Sequence, residues 1–131
     1  MVFSRIAAFF SSRAGSATLR TPEAMEEVKG FVDGLLASKK VVVFSKSYCP
    51  YCHKAKAALQ SLNLLPGSLE WIEIERREDC DAIQDYMGQL TGGRSVPRVF
   101  VGGKFLGGGD DTVAAKKNGT LQKKLADVGA I

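Results

Sequence analysis

The chain has 131 residues and 14.1 kDa, is 45% hydrophobic and 24% charged, and can therefore bury roughly two-thirds of its unfolded surface in one core with no room for a second full domain. Its 14 glycines and 4 prolines are ordinary usage, and no apolar run reaches the ~18 residues of a membrane-spanning helix, which excludes collagenous, low-complexity and transmembrane classes. Of the 18 Lys and Arg, three lie in the acid-free residues 1–22, so the rest of the chain carries 15 against 14 acids and is nearly neutral, unlike the concentrated basic face of a nucleic-acid binder.

Residues 1–22 are rich in Ser, Arg and Ala, with Phe3, Ile6, Phe9 and Phe10 near one helical face, the composition of an organellar transit peptide. The expectation is a mitochondrial or plastid address ahead of a domain at residues 23–131, the alternative being a disordered tail on a cytoplasmic protein. A secretory signal fits less well, because Ile6 to Phe10 is shorter than the ~7 apolar residues such a signal needs.

Thr21 as N-cap, Pro22 at the first helical position and Glu23, Glu26 and Glu27 close behind predict a helix start. Met25, Val28, Val32, Leu35 and Leu36 then recur at helical spacing as far as Lys39-Lys40. Val41 to Phe44 is a short β-branched run of the kind a strand buried on both faces requires. After Cys49-Pro50-Tyr51-Cys52, the positions Cys52, Ala55, Leu59 and Leu62 predict a helix ending near Asn63, before Pro66-Gly67. Glu70 to Ile74 predicts a second strand. Asp79 is the expected cap of a third helix carrying Ile83, Tyr86, Met87 and Leu90 and stopped by Gly92-Gly93. Arg98 to Val101, Gly102-Gly103 and Lys104 to Leu106 read as a hairpin with a two-residue turn. Asp110 onward is helical again, with a break near Asn118-Gly119. The resulting order is an α/β chain with one parallel crossover followed by an antiparallel hairpin: a central four-stranded mixed sheet flanked by helices.

Three cysteines are too few and too odd in number for a disulfide scaffold, so thiol chemistry is the better reading. Cys49 and Cys52 stand at i and i+3 around a helix N-terminus, within disulfide reach. The unsatisfied N–H groups and the helix dipole favour an anion there, so the Cys49 thiolate is expected to form more easily than that of free cysteine. Lys46, Lys54 and Lys56 add positive charge. Cys52, one turn further in, is expected to be buried as a thiol, which makes an attacking sulfur and a resolving one. Zinc would need two more ligands, and only Cys80 and His53 remain. Cys49 to His53 also matches the haem-attachment pattern C-x-x-C-H, with Met25 or Met87 as a second axial ligand, but such haem proteins are usually helical, whereas here a strand runs into the motif. His53 reads instead as a solvent-facing helix residue.

The ordered set S-K-S-Y-C-P-Y-C, I-Q-D-Y and G-G-R-S-V-P-R-V-F-V-G-G-K-F-L-G-G-G-D-D resembles a dithiol glutaredoxin of the Cys-Pro-Tyr-Cys type, over about residues 24–131. The resemblance implies a thioredoxin fold, glutathione as the reducing cosubstrate with no bound cofactor or metal, and Cys49 as nucleophile. Glutathione has two carboxylates, one ammonium and a peptide backbone, and a matching set of groups can be read along the chain. Lys46 suits the glycyl carboxylate, and the resemblance adds Gln84 and Arg94 at that end and Tyr51 within the motif. The resemblance makes the Val96–Pro97 bond cis, which would leave the Val96 backbone able to pair with the cysteinyl part as an added strand would. Gly107 to Asp111 opens the last helical stretch; glycines such as Gly109 permit close approach, the helix N-terminus attracts the γ-glutamyl carboxylate, and Asp110 or Asp111 can take the ammonium. Two positions depart from the family pattern: Ser95 replaces the usual threonine, and Gly109 replaces a further cysteine carried by many members. Cys80, beside Asp79 and Asp81, is read as incidental, its acidity pulled one way by the helix end and the other by the carboxylates.

The implied activity is thiol–disulfide exchange on protein–glutathione mixed disulfides, with Cys52 needed for protein disulfides. The expected partners are glutathione and glutathionylated or disulfide-containing proteins, with no nucleic acid or membrane, and the chain is expected to be monomeric. Two other readings stand beside it: a thioredoxin-like donor reduced by a flavoenzyme, and an iron–sulfur carrier holding a cluster through Cys49 and glutathione, which Pro50 should obstruct.

Overall fold

A computed structural model of the protein describes residues 21–131; the leader expected at residues 1–22 lies outside them but for its last two residues. The elements in chain order are α1 (Pro22–Ser38), β1 (Val41–Ser45), α2 (Pro50–Gln60), β2 (Leu69–Glu73), α3 (Cys80–Thr91), β3 (Arg98–Val101), β4 (Lys104–Gly107), α4 (Gly109–Lys117) and α5 (Thr120–Asp127). The sheet order is β2–β1–β3–β4. β1 pairs parallel with β2 and antiparallel with β3, and β3 pairs antiparallel with β4. This is the four-stranded mixed sheet expected from the element order, in the arrangement of the thioredoxin fold that the resemblance implies.

β1 is buried along its whole length, and its alternation divides the core in two. Val42 and Phe44 pack with Val28 and Val32 of α1 and Ile83 and Met87 of α3. Val41 and Val43 pack on the other face with Ala55 and Leu59 of α2, Ala115 of α4, and Leu121 and Leu125 of α5. A strand with two apolar faces must be continuously hydrophobic, which is why its sequence shows a run rather than an alternation. Each fully buried side chain of this size stabilises the fold by about 1.5–3 kcal/mol. Phe44 also meets Phe100 of β3 edge to face, with centroids 6.1 Å apart.

The first helix starts as expected: the Ala24 N–H donates to Thr21 Oγ1 at 3.1 Å, with Pro22 behind the cap. The hairpin turn needs positive φ at both central residues, and Gly102 and Gly103 supply 60° and 78°. One helix ends earlier than expected, and one expected cap is not made. α2 stops at Gln60, short of Asn63, because the Ser61 hydroxyl takes the Ala58 carbonyl at 2.7 Å and Asn63 adopts a left-handed φ of 56°. Asp79 precedes α3 but makes no side-chain cap; the Arg77 guanidinium occupies both of its carboxylate oxygens, at 2.8 and 3.1 Å.

Candidate active site

β1 ends at Ser45, and the chain then makes one tight turn into α2, closed by Cys49 N–H donating to the Lys46 carbonyl at 3.0 Å. Cys49 is the N-cap of α2, in extended backbone (φ −87°, ψ 118°), and its sulfur accepts from Cys52 N–H at 3.4 Å. The sulfur thus takes the role a serine or aspartate oxygen takes at other helix starts. Its S–H points to the Val96 carbonyl at 3.7 Å, and the Val96–Pro97 bond is cis. The nucleophile expected in α2 and the backbone strip expected beside it therefore face each other.

Cys49 is half-buried and Cys52 fully buried, both as free thiols. Burial pushes the Cys52 thiol up to about 11; the hydroxyl of Ser45 and the Lys46 backbone pull the other way, and the neighbouring Cys49 adds to the rise. Ser45 shares the β1 face of Val41 and Val43, toward α2, and its buried hydroxyl has no conventional partner. Sequence reading missed Ser45; its position four residues after a strand-facing Val41 was the available signal.

The other expected residues fall into two groups. At one end, Lys46 follows β1 directly, half-buried, and no ion pair to it is present among the described residues. Gln84 of α3 is buried rather than exposed: its Nε2 donates to the Arg94 carbonyl at 2.8 Å, and its Oε1 accepts from the Cys80 thiol at 3.6 Å. Arg94 is exposed but not a free cation, since its Nε bonds Asp85 at 3.0 Å and its Nη2 lies 3.8 Å from Asp81. Cys80 is therefore no bystander. Burial raises its pKa most, the Lys46 charge lowers it, and Asp81 and Asp79 raise it further, so the thiol stays protonated and donates to Gln84.

At the other end, the α4 N-terminus lies against the first turn of α2. A side chain at Gly109 would bring its Cβ 2.4 Å from the Tyr51 carbonyl oxygen. The Asp111 carboxylate accepts from Gly108 N–H at 3.1 Å, capping its own helix, while Asp110 pairs with Lys54 at 3.7 Å. Tyr51 is half-exposed, and Lys54 also lies over its ring at 4.9 Å. Lys56 instead sits over Trp71, 5.2 Å from the centroid. Of the three lysines expected to surround the motif, Lys54 and Lys56 thus have other contacts. Neither remaining zinc or haem candidate joins the pair: Cys80 bonds Gln84, and the exposed His53 bonds the Ser47 carbonyl through Nε2 at 2.7 Å.

A fold of this kind hosts many activities, so the site and the relatives decide the family. The glutaredoxin family model matches residues 41–106, half of the chain. Glutaredoxin-C4 of Arabidopsis thaliana is 45% identical over 114 residues, 87% of this chain and 78% of its own length. Glutaredoxin-1 of Rattus norvegicus is 45% identical over 101 residues, 77% and 94% of the two lengths. The crystal structure of oxidized glutaredoxin 2 from Chlamydomonas reinhardtii superposes with a TM-score of 0.76 at 53% identity, covering 82% of this chain and 98% of that one. That of a buckwheat glutaredoxin–glutathione complex gives 0.78 at 38% identity, covering 85% and 98%. A family model over half of the chain and relatives at this identity and coverage, together with Cys49-Pro50-Tyr51-Cys52 at a helix start, make the chain a member of the glutaredoxin family, of the dithiol Cys-Pro-Tyr-Cys type.

Proposed function

We propose that this thiol–disulfide oxidoreductase acts on protein–glutathione mixed disulfides and protein disulfides, with Cys49 as the attacking sulfur and Cys52 as the resolving one. The observation that carries the reading is the asymmetry of the pair: Cys49 at the helix N-cap accepts a backbone N–H, while Cys52 is buried with its pKa near 11. In the first step the Cys49 thiolate attacks the glutathione sulfur of the mixed disulfide. The Cys49–glutathione bond forms, the old S–S bond breaks, and the target leaves as a thiolate that takes a proton from solvent. In the second step a glutathione thiolate attacks the glutathione sulfur held on Cys49, releasing glutathione disulfide and regenerating the Cys49 thiolate. Cys52 enters when the target is a protein disulfide, displacing it from Cys49 and closing the Cys49–Cys52 bond.

The relative from buckwheat is a glutaredoxin–glutathione complex, which supports glutathione as the cosubstrate of this chain. The peptide is proposed to lie from Lys46 and the hydrogen-bonded pair of Gln84 and Arg94, past the Val96 backbone, to the α4 N-terminus with Gly109, Asp110 and Asp111. A coupled assay tests the reading: glutathione with its reductase should sustain turnover, and thioredoxin reductase should not. Efficient turnover with thioredoxin reductase alone overturns it.

The two cations at the glycyl end are not equivalent. Lys46→Gln should raise the apparent KM for glutathione about tenfold, the cost of losing one partly shielded charge-assisted contact. Arg94→Gln should raise it only about two- to threefold, because its guanidinium is already shared with Asp85 and Asp81 and is exposed to screening. Steady-state kinetics on both variants checks the order, and an equal or reversed effect removes Lys46 from the role.

A further inference from the structure

The turn that presents Cys49 is held at one residue from two sides. Ser47 is its second residue. The Ser47 N–H donates to Glu75 Oε1 at 3.2 Å, and the Ser47 hydroxyl donates to Glu75 Oε2. The Ser47 carbonyl can only accept, so His53 Nε2 donates to it at 2.7 Å. Every polar group of Ser47 is thus taken, by Glu75 just past β2 and by His53 in the first turn of α2. The flanks are pinned as well: Ile74 N–H donates to the Ser45 carbonyl at 2.8 Å, and His53 N–H to the Cys49 carbonyl at 3.1 Å. The bond from the Ser47 hydroxyl also keeps the Glu75 carboxyl below its ordinary range, so it remains an acceptor at neutral pH.

We propose that Glu75 and His53 are positioning residues, which clamp Ser47 and thereby hold the Cys49 sulfur against the N-terminus of α2. An N-cap residue is the first to leave a helix when its approach loosens, because only its flanking turn and its own side-chain bond retain it. Slackening the Lys46–Cys49 turn would let the sulfur move off the Cys52 N–H, and the helix end would stabilise its thiolate less. This rests on Cys49 being the nucleophile.

Positioning and plain charge give opposite signs. Glu75 is an anion on the Cys49 turn, so deleting it as a charge alone would make the Cys49 thiolate easier to form. Deleting it as a clamp makes it harder. The pH midpoint of Cys49 alkylation by iodoacetamide in the full chain, with Cys52 and Cys80 followed by peptide mass mapping, separates the two. For Glu75→Ala the midpoint should rise by about half a pH unit, the scale of a helix-end interaction. With that rise kcat should fall about tenfold while the glutathione KM stays within about twofold, as expected for a misplaced reacting atom. Glu75→Gln keeps an acceptor without the charge and should lie near the wild type. His53→Ala should shift the midpoint in the same upward direction, and His53→Gln, which restores an N–H donor, should recover part of it. A midpoint that falls in both Glu75 variants, or that stays put in Glu75→Ala and His53→Ala, overturns the clamp. Loss of turnover plays no part in the alkylation reading, so Cys49→Ser tests the nucleophile separately.

Discussion

Cys49→Ser is expected to abolish reduction of a glutathionylated substrate, whereas Cys52→Ser retains it. The first variant removes the sulfur that sits at the α2 N-cap and faces the Val96 backbone. The second removes a sulfur that the glutathione-only route never uses. Cys52 should matter for protein disulfides, and there its acidity sets the pace. Its pKa near 11 comes first from burial, and burial persists after Cys49 has become part of a mixed disulfide. The part of the rise that comes from the neighbouring Cys49 is lost in that species, but the larger part from burial remains, so at neutral pH Cys52 is held mostly as the thiol. Reduction of protein disulfides should therefore accelerate as pH rises above neutral, and more steeply than glutathione-dependent turnover of Cys52→Ser, which needs no Cys52 thiolate. Stopped-flow rates for the two substrates against pH check this, and parallel profiles would show that Cys52 closure is not limited by its proton. The same shift carries a stability cost with a definite sign. Cys52 is raised in the folded state, so the folded state holds its proton longer than the unfolded chain does, and stability declines from the unfolded pKa near 8.5 up to about 11.

Those features of the site that depend on local spacing were open to reading in the sequence. The i, i+3 cysteines behind a β-branched run, the Thr21-Pro22 helix start and the Gly102-Gly103 turn each follow from rules spanning a few residues, and each is present. The features that escaped are competitions between distant or unlikely partners. Asp79 has the residue type of an N-cap, but Arg77 two positions earlier offers its carboxylate a bidentate partner. Gln84 lies beside Ile83 on α3 and reads as a solvent residue until the loop carrying Arg94 folds over it and takes its amide. The Glu75–Ser47 contact joins residues 28 apart in the sequence, and no periodicity marks it. Glu75 follows a strand in a run of charges, where a solvated face is the ordinary expectation. The register that sets Ser45 opposite Glu73 brings it to the turn.

Gly109→Val should both destabilise the fold and weaken glutathione turnover, because the close approach at this position is to backbone. A Cβ there would meet the Tyr51 carbonyl oxygen at 2.4 Å and the Tyr51 carbonyl carbon and Cβ at 3.0 Å. No rotamer change relieves a contact with a carbonyl in the first turn of α2, so the two helices must separate. Overpacking of this kind costs about 1–3 kcal/mol, and in a domain of this size each kcal/mol lowers Tm by about 4 °C or more. The movement also carries the α4 N-terminus, with Asp110 and Asp111, away from Cys49, so the glutathione KM should rise with the loss of stability. Gly34 provides the contrasting case: it lies inside α1, and a Cβ there meets nothing within 4 Å. Gly34→Ala should therefore raise stability by about 0.5–1 kcal/mol through the reduced freedom of the unfolded chain, with KM unchanged. Thermal melts and glutathione kinetics on the two variants measure both effects. A Gly109→Val protein that melts with the wild type and keeps its KM would mean that the α2–α4 contact yields freely, and that the tight approach at Tyr51 does not hold this end of the site in place.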